Sequence, residues 1–326
     1  MATRCLYCGR LTWILHRSFW VALIFAGAAF FLALFFMPET FAPELLRWKA
    51  QHLRKVTGDA RFVAQIEIAA PLSQRLRENV KRPVAFWTTE PIVIFLGLYL
   101  VLIFVINFSF LNGLDFILKE TYGLSEGIKS LDFFSISLGV LIEVALTPLY
   151  TRLSARVQRR QCRAFVQRKH FEGDGLSSSS DEDLRPSQLL PELSLIRAAI
   201  AAPLLSASLF WLGWTNYPFI NPASAYAATI LFGYAFAAIF ISSYQYIIDS
   251  YETFSSSALA SITTARYVVS SGMIVATRPM YQGIGVHWSL TILASLATIL
   301  IPVPWVLLRY GHLVRKRSKF ANSLGG

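Results

Sequence analysis

Few residues in this chain have side chains suited to chemistry, and those few sit in apolar surroundings. Glu143 is the thirteenth residue of the run Leu131–Tyr150, between Leu141, Ile142, Val144 and Ala145. A carboxylate in such surroundings can carry a proton and attract a cation. A static role fits the same residue, bonded to a neighbouring segment or reaching to the end of its run, which Pro148 places close by. Arg266 is the tenth residue of Ser257–Met280, roughly 15 Å along a helix. A cation at that depth needs a partner, and Asp249 or Glu143 is the expected one. An ion pair that breaks and reforms would suit a gate; a fixed pair would only hold the fold. Tyr99, Asn107, Asn112 and Asp115 follow one another along the second apolar run and its continuation, with Asn107 and Asn112 only roughly on one helical face. They either line a polar cavity or bond across helices. Tyr244 and Tyr246 are two apart, so one of them at most faces a cavity, where its ring could pack or meet an amine.

Other chemistry is absent from the pattern. Cys5 and Cys8 form a lone C-x-x-C, His16 adds one ligand at best, and Cys162 is far along the chain, so no metal site is expected. There is no G-x-x-x-x-G-K-[ST] string for a nucleotide. No Ser/His/Asp pattern stands out. The reading is of a protein that is no enzyme and needs no cofactor. Asn107-Phe108-Ser109 matches a glycosylation sequon but lies inside an apolar run, where it should go unused.

The elements that must position these groups are long apolar helices. Hydrophobic residues make up 55% of the 326 and charged residues 15%, against about 25% charged in a soluble domain. The apolar residues cluster into seven runs: Phe19–Met37, Pro91–Phe110, Leu131–Tyr150, Ala198–Trp214, Ala223–Ile248, Ser257–Met280 and Val286–Leu308. Each approaches the ~20 residues that cross a bilayer as a helix. The second run has room to continue to Leu118, which would leave it long or tilted. The fold class is therefore an all-α membrane protein with about seven transmembrane helices. Phe19–Met37 has 19 residues, too long for the ~7–15 of a signal-peptide core, and is read as a retained span.

Charge sets the orientation. Loops 38–90, 151–195 and 309–326 hold 22 Lys and Arg, and the segments on the other side hold 5. The positive-inside rule puts those three loops and the C-terminus in the cytoplasm. It also accounts for the net charge of +11 without nucleic acid. The organisation read from this is an unmatched segment 1–18, a first span 19–37, a cytoplasmic loop 38–90, six helices over 91–308 and a basic tail 309–326. Within loop 38–90, Pro43 to Val56 is basic and amphipathic, suited to the membrane surface. Within loop 151–195, Ser178–Ser180 precede acidic residues and form a solvated linker or a phosphorylation site.

Pro38 to Asp59 reads PETFAPELLRWKAQHLRKVTGD. It is very similar to the pattern PETY-APxLLxxKAxxLRxxTGD that follows the sixth span in fungal twelve-spanning drug:proton antiporters of the major facilitator superfamily, with Phe41 at the usual Tyr. Later landmarks keep the family's order. Pro191-Glu192 and Leu195 resemble PExRL, with Ser194 at the Arg. Leu209-Phe210-Trp211 with Trp214-Thr215 resembles LFW…WT. Phe232-Gly233 resembles an FG in the tenth span, and Tyr244-Gln245-Tyr246 with Asp249-Ser250-Tyr251 resembles YQYLIDSY. Ser257–Ala260, Arg266, Met280-Tyr281, Pro302-Val303-Pro304 and Arg315–Lys319 complete the series. The signature G-x-x-x-D-R-x-G-R-R of the family's first half does not occur. The chain thus looks like spans six to twelve.

The resemblance implies proton-coupled export of small organic molecules (drugs, toxins, secondary metabolites or polyamines) across the plasma membrane. The expected partners are membrane lipid, protons and such a substrate, with no nucleic acid. It also implies an apparently truncated carrier, inactive alone unless a first half or self-association supplies the rest. The alternative from span number and orientation is a seven-span receptor or another non-transporting membrane protein.

Overall fold

Lipid offers a backbone amide no partner, so each apolar run must bond its own N–H and C=O groups, and each does so as a helix. A computed structural model of the chain describes residues 2–37, 39, 42–59, 61–64, 83, 85–122, 131–171, 191–251 and 254–316. Its contacts divide it into two units, Met1–Arg75 and Leu76–Gly326. Among the described residues seven helices are long and apolar enough to cross a membrane.

The first unit contains α1 (Ala2–Phe36) and α2 (Ala42–Thr57). The helix α1 begins well before the apolar run, and no residue of its Phe19–Phe36 window is buried. The α2 helix is amphipathic. Leu45, Leu46, Trp48 and Val56 are exposed apolar residues; Arg47 pairs with Glu44 at 3.2 Å. Arg54 and Lys55 occupy its last turn, where cations suit the negative end of the helix dipole. Gly58 ends it at φ 69°, a left-handed conformation that a side chain would strain.

The second unit contains α3 (Pro91–Tyr122), α4 (Leu131–Phe171), a 3₁₀ turn Pro191–Ser194, α5 (Leu195–Thr215), α6 (Ala223–Tyr251), α7 (Ser255–Ile284), α8 (Val286–Leu300) and α9 (Pro302–Lys316). The seven spans read from the pattern are all present as helices, with two differences of extent. The α4 helix does not stop near Pro148; it continues to Phe171, and its apolar window reaches Arg156. A proline removes one backbone donor, which a long helix tolerates. The last run is instead split at Ile301, because Pro302 cannot donate back to α8 and starts α9 at the position prolines favour.

At the centre lies α6, packed against α3, α4, α5 and α7. Its buried face includes Ala225, Ala228, Ala235, Ala238 and Gly233, and the facing side of α5 buries Ala198, Ala199, Ala201 and Ala202. Lipid is as apolar as leucine, so small residues that let backbones approach closely replace hydrophobic collapse as the packing device. The α4 helix packs chiefly against α6, and α3 chiefly against α7. Away from α6, α4 exposes Phe133, Phe134, Leu138, Leu141, Val144 and Leu149.

Candidate functional site

The α4–α6 seam is built on glycine. A methyl group added at Gly139 would land on the carbonyl oxygen of Ile230, and one at Gly233 on that of Ile136. Glycines at the crossing therefore bring the two backbones into direct contact. The FG landmark at Phe232-Gly233 is thereby explained. On the α4 side of the seam, Asp132, Ile136, Gly139, Glu143 and Tyr150 recur at helical spacing.

That spacing delivers Glu143 to the bundle interior. It is the thirteenth residue of the 26 in the apolar window Leu131–Arg156. Its side chain is fully buried, and Arg197 in the first turn of α5 approaches Oε1 at 3.6 Å. Neither carboxylate oxygen has a hydrogen bond. The two groups are thus an ion pair held at a separation too long for a hydrogen bond. Removing one member of a buried pair costs about 3–5 kcal/mol because the other charge is left uncompensated. Two turns further along α4, Tyr150 shares a hydrogen bond of 2.8 Å with Tyr234 of α6. At the other end of the seam Asp132 is buried beside Thr229 and Tyr226.

The second buried charge is Arg266, the twelfth of the 30 residues of its span. It is 5% exposed. Its guanidinium carbon sits 4.0 Å from the Phe104 ring, 4.8 Å from Tyr267, 5.2 Å from Phe240 and 5.6 Å from Tyr244. Nε and Nη1 are buried with no hydrogen-bond partner. Cation–π contacts contribute roughly 0.5–2 kcal/mol each. The effective penalty for burying an ion is several kcal/mol, which four such contacts can offset, but rings accept no conventional hydrogen bond and leave Nε and Nη1 unbonded.

The sequence candidates distribute as follows. Arg266 and Tyr244 come together. Arg266 pairs with neither Asp249 nor Glu143 among the described residues: Glu143 has Arg197, and Asp249 accepts from Gln245 at 2.7 Å. Tyr244 is part-exposed and shares a hydrogen bond of 3.0 Å with Thr263, whereas Tyr246 is fully buried. Tyr99 is buried with its hydroxyl unbonded, and Asn107 is buried on the same helix. Asn112 is exposed and donates to the Phe108 carbonyl. Arg278 is exposed. The side chains of Cys5, Cys8, His16, Asp115 and Cys162, and residues Ser178–Ser180, lie outside the described residues. Among the described residues no cluster of metal-ligating groups occurs.

Sequence reasoning missed Arg197, Asp132, Tyr234 and three of the rings around Arg266, those of Phe104, Phe240 and Tyr267. Arg197 falls between loop 151–195 and the apolar run Ala198–Trp214, so it counts with neither. The signal that finds Asp132 is its register, eleven residues and about three turns before Glu143.

A bundle of long apolar helices with charges buried between them is a multi-pass integral membrane protein. The comparisons carry this further. No protein-family model matches the chain, and no solved structure does. It is 39% identical to the MFS-type transporter kojT of Aspergillus flavus over 302 residues, 92% of this chain and 50% of that protein. It is 28% identical to the efflux pump atB of Aspergillus terreus, covering 94% of this chain and 61% of that one. It is 30% identical to the major facilitator superfamily multidrug transporter mdrA of Aspergillus fumigatus, covering 91% and 45%. The chain is a relative of fungal major-facilitator-type transporters and efflux pumps. It spans about half the length of the curated relatives it matches, a share that fits a C-terminal half.

Proposed function

We propose that the chain supplies one of the two helical bodies of a proton-coupled exporter of small organic molecules in the fungal plasma membrane. The observation that supports this is the Glu143–Arg197 pair, in which a fully buried carboxylate of α4 meets a guanidinium in the first turn of α5. An intramembrane ionisable pair is the expected location of a coupling step. When Glu143 takes up a proton the pair loses its attraction, and when the proton leaves the pair re-forms. Tyr150 and Tyr234 stand along the same seam to restrain the helices as the pair changes.

Alternating access rocks one helical body against another around a site between them. Six helices of one unit make one such body. A preparation of these 326 residues alone is therefore expected to drive no uphill flux. The experiment expresses the chain in a yeast lacking its own efflux pumps, alone and together with the first six spans of kojT. Efflux of a panel of amines, aromatic acids and neutral drugs is then measured with and without a protonophore. Protonophore-sensitive efflux that requires both parts and is lost in Glu143→Gln is the expected result. Gradient-driven efflux by the chain alone, or efflux indifferent to Glu143→Gln, overturns it.

The orientation belongs to the same reading. Loops 38–90 and 151–195 hold 17 of the 30 Lys and Arg, which assigns them and the C-terminus to the cytoplasm. In a background with Cys5, Cys8 and Cys162 changed to Ser, Ser178→Cys is expected to resist an impermeant thiol reagent in intact cells. It should react once the cells are permeabilised. Labelling from outside in intact cells contradicts the orientation.

A further inference from the structure

We propose that Arg266 and the rings around it bind a small planar aromatic molecule carried as its anion, an aromatic carboxylate being the simplest member. The proposal rests on the transporter reading above and names the substrate class of that protein. The charge requirement comes first. Arg266 is buried, has no acidic partner among the described residues, and its buried Nε and Nη1 have no hydrogen bond. Its rings supply no hydrogen-bond acceptor and no counter-charge, so an incoming anion gains both an ion pair and the idle donors. A carboxylate takes two parallel hydrogen bonds from a guanidinium through Nη2 together with either Nε or Nη1, the geometry in which arginine discriminates best. An amine at the same place would meet like charge.

The shape requirement comes from α6. Phe236, Phe240 and Tyr244 follow one another at helical spacing, with ring centroids 6.3 Å and 4.3 Å apart. Phe104 of α3 meets Phe236 at 5.4 Å and Phe240 at 5.6 Å. The three α6 rings are only part-buried, so ring surface is left for a flat ligand to stack on, and aromatic pairs gain at such separations. A hydroxyl lies on the same side of α7: Ser270, one turn past Arg266, is buried with Oγ unbonded. A rigid ring stacked on the ladder directs its carboxylate to the guanidinium.

The test compares three ligands of one ring system: 2-naphthoate, 2-naphthamide and 2-naphthylmethylamine. Binding to the purified full chain in lipid nanodiscs is read by equilibrium dialysis, with empty nanodiscs subtracted. The acid is expected to bind at least tenfold more tightly than the amide and the amine. That preference should vanish in Arg266→Gln and survive in Arg266→Lys. Localisation also has a measurement that needs no variant. A diazirine-bearing benzoate should, on illumination, label peptides containing Phe104, Phe240 or Tyr244, and excess naphthoate should suppress the label. If Arg266→Gln does not remain monodisperse, the labelled peptides decide the matter alone. An amide or amine that binds as well as the acid overturns the proposal, as does a preference retained in Arg266→Gln or a label placed elsewhere. Binding is read at equilibrium with no proton gradient. It can therefore fail while gradient-driven efflux holds, and hold while efflux fails.

Discussion

Arg197→Met is expected to destabilise the folded chain by about 3–5 kcal/mol, and adding Glu143→Gln should recover most of that loss. The reason is the asymmetry of a buried pair. With Arg197 gone, the Glu143 carboxylate remains fully buried, with no hydrogen bond to either oxygen. Neutralising it removes the uncompensated charge, and the double variant carries only the loss of one attraction. Glu143→Gln alone should cost less than Arg197→Met, because Arg197 is 11% exposed at the start of its helix and retains a path to solvent. Reversible unfolding in mixed detergent micelles, followed by tryptophan fluorescence, gives the four corners of the cycle. Additive single effects, with no recovery in the double variant, would show that the two residues do not interact.

The second large effect lies at the glycine crossing. Gly139→Val puts branched carbon onto the Ile230 carbonyl oxygen, with Tyr234 N also within 2.7 Å of the first added atom. These neighbours are backbone and cannot swing aside, so α4 and α6 must part along their whole seam. The cost should sit at or above the upper end of the about 1–3 kcal/mol typical of overpacking. The Tyr150–Tyr234 bond should be lost with it. Gly272→Ala and Gly283→Ala are the internal controls, since an added carbon there meets nothing within 4 Å. Alanine in a helix interior is favoured over glycine by roughly 0.5–1 kcal/mol. Yield of monodisperse protein and its melting point are the readouts. A Gly139→Val variant as stable as the two controls would remove the crossing from the account of this fold.

Helix number and type were legible because lipid admits so few backbone solutions that length and apolarity decide them. Ends were less legible. Pro148 suggested a stop that the helix ignores, while Pro302 imposed a break inside what read as one run. The difference is positional: Pro148 costs one bond inside a 41-residue helix, whereas Pro302 follows Ile301 with Pro304 close behind. Glu143 and Arg266 were legible as charges in the wrong solvent. Their surroundings were not, because which helix faces which is set by long-range packing. Periodicity along α4 points Glu143 at a neighbour, but nothing in one sequence says that α5 delivers Arg197 to it. The ring ladder over Arg266 was hidden for the same reason: Phe104 and Phe240 are ordinary core residues until α3, α6 and α7 are brought together.

The way α4 is attached has a mechanical corollary. A rod fixed along one line resists sliding, because sliding would drive its contacts past one another, but it offers little resistance to rolling about that line. The α4 helix is such a rod: its close backbone contact is the Gly139/Gly233 crossing, and apolar side chains cover its outer flank. Side chains extend about 5–6 Å from a helix axis. A rotation of α4 by roughly 20° about its own axis carries the tip of a side chain about 2 Å, against the 3.6 Å that separates Glu143 from Arg197. The separation of that pair is thus sensitive to the torsion of one helix, which the Tyr150–Tyr234 bond across the same seam opposes.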